Sequence, residues 1–258
     1  MTTVYNYKGE IARSPITSVP WASDAHRGYS SETVHENTLA AYHRAWLNGS
    51  DWIETDARLS SDNVYVISHD ATITVNGVTY TIANETAETL TALVLSTDAK
   101  YGACKIPTLE SVLRLALYTG MKVNLDCKAI NAATLAKLVI DSGMSGNVYY
   151  ANTSTANAAT ILSVDLNAGF LFPYSSANLT TWATALTDYH TRQSSYAWSS
   201  TVSIEALEAT RKAGFKYLLS EVSSTALMST APDVIEFVAT ANAGELNQQY
   251  LDSLDLLG

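Results

Sequence analysis

The stretch SDWIETDARL (Ser50–Leu59) sets two carboxylates, Glu54 and Asp56, into what otherwise reads as a buried strand. Trp52, Ile53, Ala57 and Leu59 suit a core. Residues two apart on a strand leave from the same face, so both acids point to one place. Like charges in a poorly solvated spot repel, and each is costly unless paired or bound to a cation. The stretch therefore predicts something positive nearby.

Around it, short apolar runs alternate with helical patterns from Trp21 onward. WASDAHRG reads as a strand, and NTLAAYHRAWL (Asn37–Leu47) as a helix stopped by Asn48-Gly49. After WIETDARL, Asp62-Asn63 signals a turn into VYVISHD. Residues 71–106 break the rhythm: TITVNGVTYTI predicts a small hairpin around Asn76-Gly77, followed by a polar helix-like piece. Pro107 opens a helix over TLESVLRLALYTG. Strands KVNLDCK, NVYYAN, AGFLFPY, SYAWSS and FKYLLSEV then alternate with helical segments. Such alternation predicts an α/β fold with a parallel sheet, and the number of units favours a (β/α)8 TIM barrel. Only seven strands are clear, and Pro173–Asn178 reads as a truncated unit. The expected organisation is an N-terminal extension (1–20) and a single barrel domain (21–258). Within the domain, 71–106 is an insertion and 223–258 forms closing helices.

The bulk properties fit one such domain of 258 residues, with 47% hydrophobic content. A formal net charge of −10 argues against nucleic-acid binding, which calls for a basic stripe. It leaves room for a phosphate-bearing substrate, because salt screens a distant field. The N-terminus lacks the pattern of a signal peptide, and no apolar stretch is long enough to span a membrane. Ser and Thr abundance with few lysines favours a secreted or virion-associated protein over a cytosolic one. Cys104 and Cys127 allow one disulfide at most.

In a barrel, working residues sit at the C-terminal strand ends. Those ends carry His26 and Arg27, Glu54 and Asp56, His69 and Asp70, Asp126 and Lys128, Trp198, and Glu221. Three carboxylates suit a hard divalent cation, Mg2+ or Ca2+, rather than zinc. Two histidines suit a general acid and a general base near neutral pH. Arg27 and Lys128 suit a phosphoryl group. Together the set reads as metal-assisted phosphoester cleavage. Blander readings stand beside it: a single histidine is more often structural, Asp70 caps a turn or orients His69, and Trp198 is core or pocket wall. His35, His43 and His190 stay at the structural default. Cys127 faces away from Asp126 and Lys128, toward a helix.

The run from AHRG (Ala25–Gly28) through ENT (Glu36–Thr38), SDWIETD (Ser50–Asp56) and VISHD (Val66–Asp70) resembles the opening of the glycerophosphodiester phosphodiesterase family. KIPTLESVL and VNLDCK resemble its later segments. The resemblance implies a TIM barrel with a small insertion after the His-Asp motif. It further implies that His26 and His69 form the acid–base pair, Arg27 holds the phosphate, Lys128 contacts the phosphate or a metal ligand, and Glu54, Asp56 and Asp126 hold the metal. The implied substrate is a small or polymeric glycerophosphodiester, cleaved to glycerol 3-phosphate and an alcohol. The resemblance leaves two enzyme alternatives, a phospholipase-D-like activity and teichoic-acid degradation. A retained barrel acting as a surface or virion binding protein is the alternative of another class. The chain departs from the family pattern at His35, where proline is usual, at Asn63, where glycine is usual, and at Asp126, where glutamate is usual. Ser220-Glu221 stands in place of Thr-Asp.

Overall fold

The alternation closes into a ring. In a computed structural model of the chain, residues 22–200 and 204–219 are described, with the backbone of Val4–Tyr5, Ile11–Ala12 and Phe237–Thr240. The first elements are β1 (Val4–Tyr5), β2 (Ile11–Ala12), β3 (Ala22–Ala25), α1 (Leu39–Leu47), β4 (Trp52–Leu59) and β5 (Tyr65–Ile67). Next come β6 (Thr72–Val75), β7 (Val78–Thr81), α2 (Ala87–Ala92), β8 (Val94–Asp98) and β9 (Gly102–Lys105). The barrel resumes with α3 (Leu109–Thr119), β10 (Lys122–Ala129), α4 (Ala132–Asp141), β11 (Val148–Ala151), α5 (Thr155–Leu162) and β12 (Gly169–Pro173). It ends with α6 (Ser176–Ala185), α7 (Tyr189–Gln193), β13 (Tyr196–Ser199), α8 (Ile204–Lys212), β14 (Lys216–Leu219) and β15 (Phe237–Thr240).

Strands β3, β4, β10, β11, β12, β13, β14 and β15 pair in parallel in that order, and β15 returns to β3. This is the expected (β/α)8 ring of strands. β5 hangs antiparallel on β4, outside it. The eighth strand, β15, lies inside 223–258, where the sequence predicts closing helices. Its apolar run is short, and periodicity alone cannot tell a short buried strand from a helix turn. Nor is the unit at Pro173–Asn178 truncated. β12 ends at Pro173, and the Ser175 side chain accepts from Asn178 N to start α6. Helix α1 begins two residues later than its apolar pattern suggests, with Thr38 as its cap, because Asn37 is left-handed at φ 55°.

The inward face begins with an aromatic floor. Trp52, Tyr149 and Tyr196 pack with Ala151, Leu171 and Leu218 into one buried cluster. Gly169 makes this possible, since a Cβ there would stand 2.4 Å from Ser194 O and 2.6 Å from the Tyr149 ring. The larger cluster lies between the strands and the helices, and includes Ile53, Ala57, Leu113, Val123, Leu125, Leu135 and Phe170. Burying each such side chain stabilises the fold by roughly 1.5–3 kcal/mol.

The insertion has the expected hairpin, β6–β7, turning through Asn76 and Gly77 at φ 51° and 78°. It also has a second hairpin, β8–β9, which lacks any turn signal of that kind. Ile82, Ala87, Leu90 and Ile106 pack with Val66 of β5 into a small core beneath it. Two hydrogen bonds tie it to the loop before α1: Thr33 Oγ1 to Asp98 Oδ2 at 2.6 Å, and His35 N to Ser96 Oγ at 3.0 Å. Proline has no N–H to make the second bond, so His35 in place of proline serves the latch. Cys104 and Cys127 are both buried free thiols.

Candidate active site

Strand register brings the acids together. β4 and β10 are neighbours, with Glu54 beside Asn124 and Asp56 beside Asp126. Glu54, Asp56 and Asp126 are all buried, and each offers an oxygen within 4.8 Å of the others. The β10 ladder then slips: Cys127 pairs with Ala57 and Ala129 with Arg58, so Lys128 is skipped. A bulge of this kind re-aims a side chain next to a site. Lys128 Nζ reaches Asp126 Oδ2 at 2.7 Å and Asp56 Oδ1 at 3.4 Å.

The turn after β3 supplies the other cation. Arg27 is left-handed at φ 55°, a conformation that a side chain other than glycine adopts at a cost. The strain is held by Arg27 N donating to Glu54 Oε2 at 2.9 Å and by Asn37 N donating to Arg27 O at 2.9 Å. Gly28 follows at φ 81°, and a Cβ there would fall 2.8 Å from the Ala41 backbone, so α1 packs directly on the turn. Arg27 Nη1 pairs with Glu36 at 3.0 Å, and Nε stands 3.6 Å from Asp56 Oδ2. His26 is exposed on the same turn. The side-chain partners of the acids therefore include Arg27, which the sequence assigns to a phosphate, and Lys128, for which the resemblance implies contact with the phosphate or with a metal ligand. A β-strand pattern fixes the face a residue takes, not how far a long cationic side chain bends back.

Amides complete the frame. Asn37 Nδ2 donates to Asp56 Oδ2 at 2.8 Å, and Asn152 Nδ2 to Asp126 Oδ2 at 2.8 Å. Both asparagines are left-handed, at φ 55° and 51°. Tyr42 OH holds Asn37 Oδ1 at 2.7 Å and meets Thr55 Oγ1 at 2.6 Å. One layer below, Asn124 Nδ2 donates to Asp24 Oδ2 at 2.8 Å. Asp24 is fully buried, and burial pushes its pKa up to about 7 despite that hydrogen bond. It is two residues before His26 on an inward-facing strand, a parity that sequence reasoning could have used.

Electrostatically the cluster is short of positive charge. Burial, then Asp56, Asp24 and Asp126, drive the Glu54 pKa well above the carboxylate range, against the Arg27 N–H. Burial works against the charge on Lys128, but Asp126 and Asp56 outweigh it and raise its pKa. Arg27 is raised likewise, burial being outweighed by Glu36, Asp56 and Glu54. Asp126 Oδ1 is covered from solvent and accepts no hydrogen bond, and Asp56 Oδ1 has only the 3.4 Å approach of Lys128 Nζ. Buried acceptors of that kind, on converging carboxylates, fit a hard divalent cation.

His69 is held from two sides. Its Nδ1 meets Asp70 Oδ1 at 2.9 Å. An ionised carboxylate only accepts, so Nδ1 carries the proton and, in the neutral ring, Nε2 is left as acceptor. Arg58, two residues beyond Asp56, donates from Nε to Ser68 O at 3.1 Å and from Nη2 to His69 O at 2.7 Å. The period-two argument that found Glu54 and Asp56 extends to Arg58. Trp198 is half-buried against the aromatic floor at the end of β13, and Tyr174 N donates to its carbonyl at 2.7 Å. Glu221 lies outside the described residues.

Comparison with known proteins bears on the fold and the family. A glycerophosphodiester phosphodiesterase from Caldanaerobacter subterraneus subsp. tengcongensis is 37% identical over 109 residues, covering 41% of this chain and 44% of that protein. The match thus spans under half the length of that relative. Among solved structures, a glycerophosphodiester phosphodiesterase from Agrobacterium tumefaciens str. C58 matches with a TM-score of 0.73 and 21% identity, covering 88% of this chain and 99% of that one. An Oleispira antarctica phosphodiesterase in complex with the product sn-glycerol-3-phosphate matches with a TM-score of 0.70 and 20% identity, over 89% and 96% of the two chains. At these identities the structures establish the fold alone. The family model for glycerophosphoryl diester phosphodiesterases matches residues 26–243, from the histidine after β3 to beyond β15. By that match the chain belongs to the glycerophosphoryl diester phosphodiesterase family.

Proposed function

We propose that the chain hydrolyses glycerophosphodiesters to glycerol 3-phosphate and an alcohol at the strand-end cluster. The observation that carries this reading is the convergence of Glu54, Asp56 and Asp126 to within 4.8 Å beside two cations. In this reading those three carboxylates hold a divalent cation. Such a cation, when bound, lends Lewis-acid charge to a phosphoryl oxygen.

The chain's own residues supply the rest. Arg27 and Lys128, tethered by acids, present their remaining donors to the nonbridging phosphate oxygens, whose charge grows in the transition state. His69, with Nδ1 fixed by Asp70, takes or delivers a proton at Nε2. His26, exposed on the turn after β3, is its counterpart. One histidine accepts the proton of the attacking water or substrate hydroxyl, and the other protonates the departing alkoxide. The substrate is soluble or polymeric rather than bilayer-bound: the insertion's first hairpin exposes mostly Thr side chains. Among the described residues no helix is long and apolar enough to cross a membrane.

The test is product analysis with glycerophosphocholine, glycerophosphoinositol and glycerol-phosphate teichoic acid, each with Mg2+ or Ca2+. The expected result is release of glycerol phosphate that EDTA and His26→Ala both abolish. Turnover with none of the three would instead favour a binding protein on a retained barrel.

A further inference from the structure

We propose that the N-terminal end of the barrel, opposite the candidate active site, carries a second binding site for a small phosphorylated polyol. A cleft of about 680 Å³ opens there, within the roughly 300–1,000 Å³ usual for small-molecule sites. Its wall comes from the loops entering β11, β12, β13 and β14, with Tyr149 at its base. His190, Arg211 and Lys216 are among its lining residues, and none of the described lining residues is a carboxylate. A carboxylate, Asp165, lies buried directly behind Ser145 and Asn167 of that lining.

Two lysines at this end lie over an aromatic floor, and one of them, Lys216, lines the cleft. Lys216 Nζ stands 5.4 Å from the Tyr196 ring centre, and Lys122 Nζ stands 5.8 Å from that of Tyr149. The two rings are 5.6 Å apart, edge to face. Burial and then Lys216 hold the Lys122 pKa below its ordinary value, with Asp51 opposing them. A bound anion relieves that repulsion. An arginine fork and a lysine point charge match a phosphate head.

The rim suits hydroxyl groups. Buried Asp165 accepts from Ser145 Oγ at 2.7 Å and from Asn167 N at 3.0 Å, and Asn167 Nδ2 donates to Ser145 Oγ at 3.1 Å. This fixes an amide and a hydroxyl beside the cations, with Gln193 across the cleft's lining.

The experiment is amide chemical-shift mapping on the full chain, titrated with glycerol 3-phosphate, inorganic phosphate and sulfate. The expected result is saturable shifts at Gly146, Asn167 and Gly214, with glycerol 3-phosphate binding more tightly than sulfate. Lys216→Gln with Arg211→Gln should weaken those shifts by about tenfold or more, as loss of charged hydrogen bonds predicts. Turnover at the opposite end should stay unchanged. Should the double variant fail to fold, His190→Gln, on an exposed side chain, should weaken them by a smaller factor. Shifts confined to strand-end amides such as Arg27, or equal in variant and parent, would overturn the site. Equal affinity for sulfate and glycerol 3-phosphate would overturn the polyol assignment.

Discussion

The two ends of the barrel treat charge in opposite ways. At the C-terminal ends, buried acids are crowded together and tethered by Arg27, Lys128, Asn37 and Asn152. At the N-terminal end, Lys122 and Lys216 lie over aromatic rings, half-exposed, near water that can screen them. The first arrangement is expensive in a folded chain, and the second costs little. Substitutions at the two ends should therefore separate activity from stability.

The largest effect should come from the histidines. His26→Ala and His69→Ala should each lower turnover by roughly 10²–10⁴-fold, with little change in melting temperature. Equal activity in either variant would break the contrast at its functional end. Arg58→Met removes the clamp on the His69 carbonyl without touching the ring, and should cost about 10²-fold in turnover. The alkaline or acid limb of its pH profile should move, whereas a loss of stability alone would leave the limbs in place.

Asp24 sharpens the comparison because it sits between the ends. Its pKa is raised to about 7 in the folded chain, so between roughly pH 4 and 7 the folded state binds the extra proton. Stability of the metal-free chain should then fall as pH rises through that window. Asp24→Asn keeps an acceptor for Asn124 and should flatten the slope, leaving only the part that Glu54 contributes. It should gain on the order of 2–4 kcal/mol at pH 8, read by urea unfolding in EDTA. A slope unchanged in the variant would place the titration elsewhere.

The smallest effect belongs at the floor. Gly169→Ala pushes a methyl into the Tyr149 ring and the Ser194 carbonyl, and should cost about 1–3 kcal/mol of unfolding free energy. Turnover per folded molecule should be spared. If it fell in proportion to stability, the two ends would be coupled through the floor.

Much of the candidate site was legible because strand parity is arithmetic. Glu54 with Asp56, and Asp126 with Lys128, share a face by spacing alone, and barrel strands put that face at one mouth. The same rule would have added Arg58 and Asp24 had it been applied to every polar residue of the two strands. The asparagine tethers were illegible for a different reason. Asn37 and Asn152 reach the acids because their backbones are left-handed, and a lone asparagine in a loop does not announce a positive φ. The pairing of Arg27 and Lys128 with the acids depends on side-chain reach and on the Lys128 bulge, neither of which is written in a residue pattern. In the fold, β15 was hidden by its brevity, and β8–β9 by a turn without the Asn-Gly that marked β6–β7.

The latch between His35 and Ser96 makes the insertion and the Arg27 loop a single mechanical part. For anyone grafting specificity between relatives, the unit of exchange is then not 71–106 alone. An insertion moved onto a barrel with proline at the position of His35 arrives without its donor, and the loop that holds Glu36 against Arg27 loses its outer brace. Insertion and residue 35 should be exchanged together, as one cassette.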